Sequence, residues 1–88
     1  MNLRDVILEL LEAGVILNVE IKDGVPDPDS KVQTEGKAQI IKMTDRETGC
    51  VLQLIFFVND RPNLTENINS VYQTLKQMVE TYKKEQNG

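Results

Sequence analysis

Hydrophobic residues recur at helical spacing from Leu3 to Ala13. Leu3, Val6, Ile7, Leu10 and Leu11 share one face, and Leu8 lies outside it, so this helix is apolar over a wide arc. Asn2 is placed to cap it. Asp5 suits the positive end of its dipole, and Gly14 can end it in the left-handed conformation. From Val15 to Lys22 the period changes to two. Val15, Leu17, Val19 and Ile21 point one way; Ile16, Asn18, Glu20 and Lys22 point the other. That is a half-buried strand, better suited to the edge of a sheet than to its centre.

Lys37–Met43 reads as a second strand. Either Ala38 and Ile40 or Ile41 and Met43 face the core, because a one-residue slip exchanges the two sets. Thr44-Asp45-Arg46-Glu47-Thr48-Gly49 is a tight hairpin connection, with Asp to open the turn and Gly49 to hold positive φ. The third strand, Cys50–Val58, is apolar at every position except Gln53. A sheet with one face in water should alternate apolar and polar residues. The unbroken run therefore predicts a strand at the centre of the sheet, between strands one and two or beside them under both helices. It also predicts that both of its faces meet something other than water.

Asn63 begins a second helix, with Glu66 as its capping-box partner, and the helix is expected to run to about Lys84. Leu64, Ile68, Val71, Leu75, Met78 and Tyr82 alternate spacings of four and three. Tyr72 and Val79 widen the stripe, as suits packing on a sheet. The pattern gives one α+β domain over residues 1–88, in the order α-β-β-β-α. Its three-stranded antiparallel sheet carries both helices on one face. Val15, Leu17, Val19 and Ile21 would meet the helices together with Leu52, Leu54, Phe56 and Val58. Residues 23–36, rich in Pro, Gly and Asp, read as a flexible loop, and 86–88 as a frayed tail.

Composition narrows the chemistry. The formal net charge is -4, with 14 acidic and 10 basic residues, which disfavours direct nucleic-acid binding. The chain has no histidine and one cysteine, Cys50, at the head of an apolar strand, where a buried, inert thiol is expected. No catalytic residues are assigned. Acids such as Glu9, Glu12, Glu20 and Glu47 fall at positions expected to be solvated, and neither a phosphate-binding glycine loop nor a serine elbow is present. Asp23, Asp27 and Asp29 lack the spacing of a calcium loop, so no metal or other cofactor is expected. Residues 1–14 lack the features of a signal peptide, and no apolar run approaches a membrane span. The expectation is a cytoplasmic protein without a membrane partner.

The turn at 44–49 resembles the loop before the third strand of many RNA-recognition motifs. That family continues with a basic residue, glycines and exposed aromatics. Cys50-Val51-Leu52-Gln53-Leu54 supplies none of them, so the resemblance stops at turn chemistry. The size, acidity and helix-then-meander order are also similar to those of some small anti-CRISPR inhibitors. No residue motif carries that likeness, and no site is carried over. It implies an alternative class: a small acidic phage or mobile-element inhibitor, or nucleic-acid mimic, that binds a basic protein surface.

The feature these readings leave unexplained is the second sheet face. Ile16 on the first strand and Val51, Ile55 and Phe57 on the third point away from the expected helices. Exposed apolar patches of this kind usually mark interfaces; the alternative is that the loop 23–36, with Val25 and Val32, folds back and covers the face. The expected function is a non-catalytic protein-interaction module, binding itself or another protein. A homodimer joined through Ile16, Val51, Ile55 and Phe57 on the open face, or through an edge strand, is the leading form.

Overall fold

The computed structural model describes residues 2–26 and 35–87. Along them run α1 (Leu3–Ala13), β1 (Val15–Pro26), β2 (Glu35–Asp45), β3 (Val51–Phe57) and α2 (Leu64–Asn87). The three strands form an antiparallel sheet in the order β1-β2-β3, and the helices flank them in sequence, giving the expected α+β fold.

The local signals act where the sequence places them. Asn2 Oδ1 accepts from the Asp5 N–H at 2.9 Å, and Asn63 Oδ1 accepts from the Glu66 N–H at 3.1 Å. Each cap satisfies one of the amides that a helix start leaves unpaired. Gly14 has φ 71, and its N–H reaches back to the Leu11 carbonyl, closing α1. At the β2–β3 turn, Asp45 Oδ2 accepts from the Thr48 N–H (3.0 Å) and the Thr48 hydroxyl (2.6 Å). Gly49, with φ 77, then donates its N–H to the Asp45 carbonyl.

The core forms under β2. Ile41 and Met43 are completely buried and pack with Val6 and Leu10 of α1 and with Ile68, Val71, Tyr72 and Leu75 of α2. This settles the register in favour of Ile41 and Met43 as the inward pair. Val15, Leu17 and Val19 on β1, and Leu52, Leu54 and Phe56 on β3, pack against that cluster but are only half-buried. Two helices are wide enough to seal the middle strand, and the flanking strands stay partly open.

Several expectations are corrected. β3 lies at an edge of the sheet, and β2 is the centre. An apolar run can mark an exposed edge as well as a buried centre, because the run alone does not say which face is covered. Ile21 points toward the helix layer but is 58% exposed, since the helices do not extend over that corner. On α1, only Val6 and Leu10 of the inward stripe are buried, and Leu3 and Leu11 remain exposed. β1 and β2 are also longer than expected, while β3 is shorter, Val51–Phe57 rather than Cys50–Val58. β1 continues through Asp23–Pro26 and β2 begins at Glu35, across a register shift between Lys22 and Val25. Gly24, with φ 77, permits that irregularity, and an edge strand tolerates the proline. The rest of the expected loop, 27–34, lies outside the described residues, as do Asp27 and Asp29. At the other end, α2 continues to Asn87, past Lys84 and into the expected frayed tail.

Candidate interaction surface

The molecule is a thin slab with principal-axis extents of 47 × 30 × 17 Å. One helix layer and one sheet layer account for that thickness. Both helices lie on one side, so among the described residues the other broad face of the sheet carries no helix.

Strand pairing fixes which side chains meet on that open face. Ile16, Thr44 and Val51 lie in one cross-strand row. Asn18, Lys42 and Gln53 form the next. Glu20, Ile40 and Ile55 follow, and Lys22, Ala38 and Phe57 form the last. Ile16 is 51% exposed, Val51 47% and Ile55 48%. Phe57 is half-buried, across from the completely buried Ala38. The structure thus places the four candidate residues on one face but not in one patch. Ile40, Ile55 and Phe57 gather at one corner, while Ile16 and Val51 lie beyond the polar row of Asn18, Lys42 and Gln53. On β1 the face is charged: Glu20 and Lys22 pair at 3.6 Å, both well exposed.

The ladder also decides which backbone groups β3 presents outward. The Asp45 N–H donates to the Cys50 carbonyl at 2.8 Å, and the Val58 N–H donates to the Lys37 carbonyl at 2.9 Å. In an antiparallel pair, such residues alternate with residues whose amides and carbonyls point away. Leu52, Leu54 and Phe56 therefore turn their backbone groups to β2. Val51, Gln53 and Ile55 turn theirs to the free edge. The Phe57 carbonyl is taken by the following turn, accepting from the Asp60 and Arg61 N–H groups at 3.0 and 2.8 Å. Among the described residues no strand pairs with this edge of β3. The sequence does not single out this edge, because an unbroken apolar run suits the centre of a sheet as well as its margin.

Around the surface, Arg61 stacks over the Phe56 ring, 5.5 Å from its centroid, and shields one corner of the half-open core. On α2, Met78 and Tyr82 continue the apolar stripe past the sheet and are exposed. With Thr74 and Cys50 they line a shallow groove beside the start of β3. Cys50 is a free thiol, half-buried against the core rather than fully buried.

Among the described residues no group of three or more His, Cys, Asp or Glu side chains is arranged to hold a metal ion, and no helix is long and apolar enough to cross a membrane. No family model, curated protein or solved structure matches the chain.

Proposed function

We propose that this chain is a non-catalytic protein-interaction module that associates with a second copy of itself through the open side of its sheet. The observation that supports this is the exposure of Ile16, Val51 and Ile55 on a sheet face that neither helix covers. Each large side chain taken out of water contributes on the order of 1.5–3 kcal/mol, so a few of them matter to a domain this small. The sequence offers little for catalysis, having no histidine at all.

Sedimentation or light scattering over a concentration series tests this reading. The wild type is expected to dimerise by about 100 μM, a modest affinity for a small interface. Ile55→Lys places a charge in the apolar corner and is expected to weaken association at least about tenfold, or 1.4 kcal/mol. Its far-ultraviolet circular dichroism should stay that of the wild type, because Ile55 is already half in water. A wild type that stays monomeric throughout, or an Ile55→Lys variant with undiminished association, removes the proposal.

A further inference from the structure

The two edges of the sheet differ in how they are protected. Natural sheets blunt exposed edges with charge, proline or a bulge, because an unpaired row of amides and carbonyls templates pairing with another chain. β1 carries all three: Glu20, Lys22 and Asp23, then Pro26, with its register shift between Lys22 and Val25. β3, from Val51 to Phe57, has no charged residue and no proline, and its pairing with β2 runs without a shift. One edge is guarded and the other, among the described residues, is bare.

The bare edge also borders the less protected flank of the core. Leu52, Leu54 and Phe56 point toward the helices yet remain half-buried, while Val51 and Ile55 on the opposite face are exposed. A strand laid alongside β3 would cover both rows of side chains and bond Val51, Gln53 and Ile55. Such an occupant must be neutral and apolar on both faces. β3 itself, uncharged and apolar except at Gln53, comes close to those requirements, and two neutral strands meet without like charges facing each other, although each chain carries a net -4.

We infer that β3 pairs antiparallel with β3 of a second copy, across a two-fold axis near Gln53 and Leu54, making one six-stranded sheet from two chains. This deepens the self-association reading and rests on it. An isologous contact of this kind closes on itself and stops at the dimer. Stable interfaces bury at least about 1,200 Å² in total, or roughly 600 Å² per copy. That is near a tenth of the 6274 Å² surface of one chain. The β3 edge, the side chains on its two faces and the exposed Met78 and Tyr82 of α2 are the surfaces that would supply it.

Amide hydrogen exchange on the wild-type chain tests the inference, read together with its mass in solution. In a β3-paired dimer, the Val51, Gln53 and Ile55 amides exchange at least about tenfold more slowly as concentration rises through the dimer transition. A dimer in which these amides keep their monomer rates overturns edge pairing but leaves association through the open face standing. A chain that is monomeric at every concentration overturns both. Two variants cross-check the result. Gln53→Pro removes an amide that points outward, so it costs no bond to β2, and it is expected to abolish an edge-paired dimer. Ile16→Lys, on the far strand, is expected to leave that dimer unchanged and to break one stacked face to face. Loss of association in Ile16→Lys with retention in Gln53→Pro counts against edge pairing. If Gln53→Pro loses its circular dichroism, the exchange rates of the wild type decide.

Discussion

At the residue scale, Asn67 is the tightest polar constraint. It is completely buried at the start of α2. Its side-chain amide donates to Gln39 Oε1 and to the Arg61 carbonyl, both at 2.7 Å, and Gln39 in turn donates to the Pro62 carbonyl at 3.2 Å. The helix, the central strand and the 58–62 turn are thereby tied at one point. The two acceptors around Asn67 both require a donor, which fixes the orientation of its amide. Its Oδ1 meets no donor among the described residues, so the residue works through its NH₂ group alone. Asn67→Asp replaces that donor with an acceptor facing two acceptors in a buried place. A loss of about 3 kcal/mol or more is expected in urea denaturation, beyond the usual 1–3 kcal/mol of one orphaned group. Asn67→Leu, which orphans the partners but buries no charge, should cost less. Equal losses for the two variants would show that the donors are not what matters. None of this was legible in the sequence. An asparagine one turn into a helix reads as a weak helix former, and the partner that gives it meaning, Gln39, lies 28 residues away.

At the element scale, the parts of the fold that depend on local chemistry were legible and those that depend on coverage were not. The caps at Asn2 and Asn63, the stop at Gly14 and the turn closed by Asp45 and Gly49 each involve residues within a few positions of one another, so the sequence shows both partners. Gly14 gives the cleanest test. At φ 71, any residue with a Cβ pays for left-handed backbone, and a Cβ built there meets nothing within 4 Å, so only that backbone term changes. Gly14→Ala should destabilise by about 1 kcal/mol, lowering the melting temperature by roughly 4–8 °C for a domain this size. Gly36→Ala is the control. Its site is equally open and its φ is not positive, so it should be neutral or slightly stabilising. If the two variants melt together, Gly14 is not setting the end of α1. Coverage is another matter. The α1 stripe predicts five inward residues, but the helix lies against the rim of the sheet and buries only Val6 and Leu10, leaving Leu11 68% exposed. The β3 run has the same ambiguity. Its composition says that both faces avoid water, and only the strand order shows that its outer edge has no partner strand among the described residues. Alternation alone puts Ile16, Val51, Ile55 and Phe57 on one face, while the polar row that divides them depends on a register the sequence leaves open.

At the scale of the whole molecule, shape and charge point to different partners, and salt separates them. A compact domain of this length has a radius of gyration of about 12 Å, and this chain has 14.7 Å, in keeping with its flat slab. A slab with a half-open core gains from a partner laid against its edge, and stability should then rise with protein concentration. The contact surfaces of β3 contain no charged residue. Screening therefore has little attraction to remove from the proposed dimer, and it weakens the mutual repulsion of two chains at net -4. Between about 50 mM and about 500 mM sodium chloride, the dimer dissociation constant should stay within about threefold or fall. An acidic chain that instead served to occupy a basic protein surface would lose affinity for that surface steeply over the same range, since its attraction would be screened. Sedimentation equilibrium at the two salt concentrations measures the first quantity directly. A dimer that dissociates as salt is raised would place charged residues in the contact. That contact would then involve the Glu20–Lys22 side of the sheet rather than β3.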